Sequence, residues 1–203
     1  MIRMPVVAAV AAAAIVGACQ SASAGLLGMP IGLLPAIQHI KFEKPTLAPM
    51  AHTMFCLRYE DECRASPLFR GGPVFLTEQR WADLREVNRT VNRDIIPEPN
   101  EMGLAAETWL INPRHGDCND YAVSKRHELL KRGWPARAML LAVVEIKSTE
   151  HHLVLVARTK GGDLVLDNLT PQIKPWSRTP YRWVRIQTPG NPRYWATVAS
   201  NQL

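Results

Sequence analysis

The chain has 203 residues, of which 47% are hydrophobic and 21% are charged, and its formal net charge is +6. This length suffices for one domain with a sizeable hydrophobic core. The basic residues are spread along the chain without a recognisable nucleic-acid-binding motif, and there are no internal repeats or low-complexity tracts. These features argue against a nucleic-acid-binding or repeat protein.

The first 24 residues have the features of a secretory signal peptide. Arg3 supplies a positive charge, Val6–Val16 is an unbroken apolar run, and Ala22–Ala24 offers small residues at a cleavage position. The run is shorter than the ~20 residues that span a bilayer. We therefore expect cleavage after Ala24 and export to the periplasm or the medium. The mature chain keeps 23 basic and 18 acidic residues, a formal charge of +5 that favours an anionic surface or partner.

The four cysteines have different expected roles. Val16–Cys19 resembles a lipoprotein box, so lipid anchoring through Cys19 is an alternative to cleavage after the signal. Cys56 and Cys63 flank the short stretch LRYEDE, and in an oxidising compartment such a local pair predicts a disulfide, with two free thiols as the alternative. Cys118 is then unpaired, which indicates a thiol that is either buried or used for chemistry.

The N-terminal part of the mature chain is predicted to be irregular before the first helix. Residues 25–50, rich in Gly, Pro, Leu and Met, predict an extended arm that packs on a domain formed by residues 51–203. Residues 51–76 predict a loop that carries the cysteine pair. Apolar residues at three- and four-residue spacing then predict a helix over Thr77–Ile95.

The second half predicts one helix followed by strands. Asp117 is a good N-cap and Gly133 a good stop for a helix over Asp117–Arg132. Apolar runs separated by turns predict four strands: Ala136–Ile146, His152–Arg158, Leu164–Asn168 and Tyr181–Ile186. Helices followed by antiparallel strands predict an α+β fold.

Cys118 is predicted to lie in the first turn of this helix, where backbone N–H groups and the helix dipole stabilise a thiolate. Asp117 and Asp120 oppose that effect, so a cationic neighbour is needed, and a histidine can supply it. His152 opens the second predicted strand. If the following turn centres near Lys160-Gly161, His152 lies diagonally across from Asp167 on one face, ~7–8 Å away at Cα.

Asp167 would then orient the His152 ring towards Cys118, which is the general form of a catalytic triad. Each residue also has a structural interpretation. Cys118 can be a small buried hydrophobe, His151-His152 can flank a turn, and Asp167-Asn168 can end a strand. Zinc is an alternative for four residues that lack any organising motif: His115, Cys118, His127 and His152. Asp117 and Asp120 are potential calcium ligands, but helix capping is the simpler role.

Three motifs in order, GDCNDYA (Gly116–Ala122), EHHLVLV (Glu150–Val156) and DLVLDN (Asp163–Asn168), resemble the bacterial transglutaminase-like cysteine proteinases. The resemblance covers roughly residues 50–200. It implies a papain-like, transglutaminase-type core. In this core the nucleophilic cysteine lies at the N-terminus of a helix that packs on an antiparallel sheet. The implied triad is Cys118, His152 and Asp167.

The resemblance also implies biological partners and a metal. Understood members are periplasmic proteases that clip surface adhesins near an Ala-Ala site, under the control of an inner-membrane receptor for cyclic di-GMP. In those members calcium binds acidic residues in the pattern Asp-Cys-Glu-Asp. Here the pattern is Asp117-Cys118-Asn119-Asp120, so a neutral amide replaces one carboxylate and the expected calcium affinity falls.

We therefore expect an exported cysteine endopeptidase whose chemistry requires no cofactor and whose substrate is an envelope or surface protein. Backbone amides near Cys118 would stabilise the oxyanion, with Trp109 as a neighbour of the cleft. Resolution of the acyl-enzyme by an amine instead of water would make the protein a transglutaminase. A further alternative is a non-catalytic envelope-binding domain with the same fold.

Overall fold

The computed structural model describes residues 39–65, 72–100, 107–146 and 150–199. The predicted signal peptide, Cys19 and residues 25–38 of the predicted arm lie outside the described residues. Within the described ranges, no helix combines the length and apolar character needed to cross a bilayer.

The described residues form helices packed on a large sheet, which confirms the predicted α+β class. The α-helices are α1 (Met50–Arg58), α2 (Glu78–Asp94) and α3 (Cys118–Lys131). The strands are β1 (Phe42–Thr46), β2 (Ile96–Pro97), β3 (His115–Gly116), β4 (Met139–Ile146), β5 (Glu150–Thr159), β6 (Gly162–Leu166), β7 (Lys174–Pro175), β8 (Arg182–Thr188) and β9 (Asn191–Val198). Short 3-10 helices cover Glu60–Cys63, Ala136–Ala138 and Trp176–Arg178.

The main sheet has seven strands in the order β1-β9-β8-β4-β5-β6-β7, and every neighbouring pair is antiparallel. β2 and β3 form a separate parallel pair just before α3. β8 returns to pair with β4, and β9 then pairs with β8. The central strands β4 and β5 therefore lie between β8 and β6, which are distant from each other in the chain.

The central strands are apolar on both faces because both faces are covered. On one face, Leu141 of β4 and Leu153 of β5 join a cluster that includes residues of α1, α2 and α3. On the other face, Val144 and Val154 pack in a second cluster with Trp183. This double burial explains why these strands are continuous apolar runs without alternation.

The predicted helix Thr77–Ile95 is confirmed as α2, with Thr77 as its N-cap. In contrast, the loop predicted over residues 51–76 is wrong at its start, where α1 and the 3-10 helix Glu60–Cys63 lie. α1 buries Phe55 and Cys56 but leaves Met50 and Leu57 on its exposed side. Because apolar residues lie on both sides of α1, it lacks the amphipathic pattern that identified α2.

α3 is held in place by polar contacts within the core. The Tyr121 hydroxyl donates to the Ile95 carbonyl at 2.6 Å. The buried Arg126 guanidinium donates to Glu62 at 2.6 Å and to the Met139 carbonyl at 3.1 Å. Glu62 lies in the 3-10 helix next to Cys63, which forms a disulfide with Cys56. These contacts fix the helix that begins with Cys118.

Candidate active site

Cys118 is the first residue of α3, and a capping box defines that helix start. The Asp117 side chain accepts the Asn119 N–H at 2.9 Å, and the Asp120 side chain accepts the Asp117 N–H at 3.0 Å. Gly116 precedes the cap closely enough that a Cβ atom there would lie 2.4 Å from Asp120 Oδ2. Local sequence therefore places the thiol at the N-terminal end of α3, as predicted.

The Cys118 thiol is half-buried between α3 and β5. Burial raises the pKa of the Cys118 thiol to about 12, and the Leu153 backbone N–H, which donates to the sulfur, lowers it. The carboxylates of Asp117, Glu107 and Asp120 raise the pKa of Cys118 further. A thiolate in this position therefore needs a proton acceptor that becomes cationic beside it.

His152 and Asp167 are brought together by the register of β5 and β6. Leu155 pairs with Leu166, and continuing this register places Val154 opposite Asp167, which confirms the predicted register. The two side chains are buried, and His152 Nε2 lies 2.9 Å from Asp167 Oδ1. Since Nε2 is engaged by the carboxylate, Nδ1 is the nitrogen that remains for proton exchange.

Cys118 approaches β5 at Leu153, the residue next to His152. The Leu153 N–H that reaches the sulfur belongs to the residue after His152 on β5. In the part of the chain that the structure describes, the sulfur and the His152 ring are not hydrogen-bonded to each other. Thiol–imidazole hydrogen bonds commonly tighten only when substrate is bound.

Two further side chains at Asp167 were not predicted from the sequence. The Tyr181 hydroxyl donates to Asp167 Oδ2, and its ring packs edge-on against His152 with centroids 6.1 Å apart. Lys125 is buried in α3, and the negative charge of Asp167 raises its pKa against the lowering effect of burial. Lys125 follows Cys118 by seven residues, about two helical turns, so the helical period could have placed both on one face. Nothing in the sequence near Tyr181 indicates its contact.

These contacts keep Asp167 ionised despite its burial. Burial raises the pKa of the Asp167 carboxyl, but hydrogen bonds from His152, Tyr181 and the Leu169 backbone N–H lower it, and the net shift is downwards. An ionised Asp167 favours an imidazole that carries its proton on Nε2 and can accept one on Nδ1.

Trp109 is placed in the core. Its ring is only 2% exposed and packs against His52, with centroids 5.6 Å apart, and against Phe55. The indole N–H donates to Glu107 Oε1 at 3.0 Å. This burial does not favour the substrate contact expected for Trp109. It supports the position of Glu107, whose carboxylate also acts on Cys118.

The carboxylates around Cys118 do not by themselves form a calcium site in this arrangement. Both Asp120 oxygens accept backbone N–H groups, from Leu110 at 2.7 Å and from Asp117 at 3.0 Å. The Asn119 amide nitrogen donates to Glu107 Oε1 at 2.5 Å. Across the described residues, these carboxylates form no group of three converging donor atoms. Calcium takes about six to eight oxygen ligands, more than these carboxylates supply in this arrangement.

The zinc alternative is not supported either, because its three histidines have separate partners. His127 contacts Glu62 at 2.6 Å, His115 contacts Glu98 at 3.4 Å, and His152 contacts Asp167. The group of converging metal-ligand atoms that the described residues do contain is His52, Cys56 and Cys63. There the two sulfurs form a disulfide and are not thiolate ligands.

A cysteine at a helix N-terminus, packed on an antiparallel sheet beside a buried His–Asp pair, defines an α+β protein with a papain-like, transglutaminase-type core. The family model described as bacterial transglutaminase-like cysteine proteinase BTLCP matches residues 42–203. The chain belongs to this family, which confirms the resemblance identified from the sequence.

Solved structures of Legionella pneumophila LapG are similar to this chain. The calcium-bound form has 22% identity and a TM-score of 0.49, over 61% of this chain and 73% of that chain. The EGTA-treated form has 21% identity and a TM-score of 0.47, over 60% and 72%. A further LapG structure has 24% identity and a TM-score of 0.46, over 52% of this chain and 64% of that chain. A comparison with curated proteins finds no match.

Proposed function

We propose that this chain is an exported cysteine endopeptidase that cleaves a peptide bond of an envelope or surface protein. Membership of the family supports a cysteine peptidase with a protein substrate. The observation that carries the proposal is the buried hydrogen bond between His152 and Asp167, on the strand whose Leu153 N–H reaches the Cys118 sulfur. Periplasmic location, an adhesin substrate and control by an inner-membrane receptor extend the same proposal.

In this proposal His152 acts as the general base for Cys118. When substrate enters, the thiol proton moves to His152 Nδ1, while Asp167 holds Nε2 and stabilises the imidazolium. The sulfur forms a bond to the scissile carbonyl carbon. The C–N bond then breaks, and the proton on Nδ1 passes to the leaving amine. Water, deprotonated by the same nitrogen, hydrolyses the thioester and restores the thiol.

The helix start supplies the oxyanion donor. The Asn119 N–H is already donated to Asp117, so we assign the oxyanion contact to the backbone N–H of Cys118 at the positive end of α3. Trp109 supports this corner of the site indirectly, through Glu107. None of these steps is routed through a metal ion, and the chemistry is proposed to need none.

The pH dependence of Cys118 alkylation by iodoacetamide, followed by mass spectrometry, tests the proposal. In the wild-type protein we expect labelling near neutral pH, because the proton can pass to His152. In His152→Ala, burial and the carboxylates still raise the pKa of Cys118, and no imidazole is present to accept its proton, so labelling at pH 7 should fall at least ~100-fold. Adding EGTA should leave both profiles unchanged.

His151→Ala is the matched control, because His151 precedes His152 but is exposed and lies 3.7 Å from Glu145. It should keep the wild-type profile. If His152→Ala and His151→Ala give the same profile as the wild-type protein, His152 does not activate the thiol and the proposed triad is wrong.

A further inference from the structure

A basic groove lies beside the segment that follows Asp167. It has a volume of about 960 Å³ between α2 and the chain around β7. Its lining carries four cationic side chains and one acidic side chain, together with apolar and aromatic surface. The residues that define it are Trp81, Arg85, Arg89, Pro171, Lys174 and Arg178.

The charge of the basic groove is not balanced by its own lining. Glu86 is the acidic residue there, and its carboxylate already accepts a hydrogen bond from Arg132 at 2.9 Å. Arg85 and Arg89 are exposed and lie one helical turn apart on α2. The Arg85 guanidinium lies over the Trp81 ring, 5.9 Å from its centroid. Such arginine clusters on aromatic surface recognise carboxylates.

Hydrogen bonds fix one wall of the basic groove, and they set its distance from Asp167. Asn88 donates to the Pro171 carbonyl at 3.1 Å, and Asn92 donates to the Asp167 carbonyl at 2.9 Å, so the segment after Asp167 is fastened along α2. Arg85 precedes Asn92 by seven residues, about 10 Å along the helix axis. That distance equals about three residues of extended chain.

We propose that the basic groove binds an acidic segment of a protein substrate, outside the residues that flank the scissile bond. This inference rests on the proposed function, since it names a feature of the substrate of that site. The concave shape and the apolar surface of Trp81 and Pro171 favour a polypeptide over a flat anionic membrane surface.

Peptide binding to the Cys118→Ala protein tests the inference without requiring turnover. The probe is a fluorescein-labelled peptide of about 12 residues that alternates Glu with Ala, compared with the same peptide carrying Gln, and anisotropy is measured at about 50 and about 250 mM NaCl. We expect the Glu peptide to bind at least about tenfold more tightly than the Gln peptide at low salt. Arg85→Gln/Arg89→Gln should weaken that binding at least about tenfold.

Lys44→Gln/Arg58→Gln is the matched control, because it removes two exposed cationic charges elsewhere on the surface. It should change the affinity less than about threefold. Equal weakening in both double variants, or equal binding of the two peptides, would overturn the inference. So would a loss of binding to phosphatidylglycerol vesicles in Arg85→Gln/Arg89→Gln with unchanged peptide affinity. Peptide binding to the Cys118→Ala protein does not require an activated thiol. A failure of the proposed function in the alkylation test can therefore be told apart from a failure of this inference.

Discussion

At the scale of single residues, Asp167 of the proposed triad has two polar neighbours, the half-buried Tyr181 and the buried Lys125. Tyr181 donates to Asp167 Oδ2, and Lys125 places a buried ammonium group near the same carboxylate. A buried carboxylate without such partners tends to become protonated. Tyr181 therefore affects the protonation of Asp167 without contacting the reacting atoms of the proposed mechanism.

Tyr181→Phe removes one of the hydrogen bonds that lower the pKa of Asp167. Burial, which raises that pKa, is then opposed by fewer hydrogen bonds, so the Asp167 carboxyl becomes protonated at a higher pH. We expect the acid limb of the Cys118 alkylation profile to move to higher pH by up to about one unit. Tyr194→Phe, at an exposed tyrosine, should leave the profile unchanged. Superimposable profiles for Tyr181→Phe and wild type would show that Tyr181 does not tune Asp167.

Lys125→Met tests the buried ammonium group. Burial lowers the pKa of Lys125 to about 7, against a raising effect of Asp167. The folded protein therefore releases a proton between about pH 7 and 10.5 that the unfolded chain retains. Stability rises with pH across that window, and the burial penalty is fully present below about pH 7. We expect Lys125→Met to raise the free energy of unfolding at pH 6 by about 2–4 kcal/mol.

Urea unfolding at pH 6 and pH 10 measures this effect. The gain from Lys125→Met should shrink at pH 10, where the wild-type lysine is largely neutral in the folded protein. Lys131→Met, at an exposed lysine on the same helix, should show no comparable pH dependence. A lower stability of Lys125→Met at pH 6 would mean that the pairing with Asp167 outweighs the cost of burial.

At the scale of elements, the start of α3 decides where Cys118, the proposed nucleophile, lies. Gly116→Ala would place a Cβ atom 2.4 Å from Asp120 Oδ2, so the capping box would have to open. We expect a loss of about 2–3 kcal/mol in the free energy of unfolding and slower alkylation of Cys118. Gly190→Ala is the control, because a Cβ atom at that position would have no neighbouring atom within 4 Å. Equal urea midpoints for the two variants would show that the capping box tolerates the added methyl group.

The elements that carry the site were predictable because each has a local signal. The predicted helix Asp117–Arg132 differs from α3 only at its two capping residues. The β5–β6 register followed from a two-residue turn near Lys160-Gly161. β1 and β9 were not predicted as strands. Each contains a proline, Pro45 or Pro192, and β1 is mostly exposed, so neither has the apolar run that marks a central strand.

At the scale of the whole molecule, the sheet order brings the polar groups of the site to the buried centre. β4 and β5 lie between β8 on one side and β6 on the other. Tyr181, just before β8, thereby reaches Asp167, just after β6, although the two strands are not neighbours in the sheet. The Arg126–Glu62 pair and the disulfide tie α3 to the N-terminal part of the domain.

The sequence by itself determined the α+β class, the positions of α2 and α3, the family and the three residues of the proposed triad. These follow from local periodicity, capping residues, turn spacing and short motifs, which involve a few neighbouring residues at a time. The tertiary structure alone decided the burial of Trp109, the contact of Tyr181 with Asp167, the burial of Lys125, and the basic groove. Those features arise where strands and helices distant in the chain pack together, and local sequence does not specify which distant segments meet.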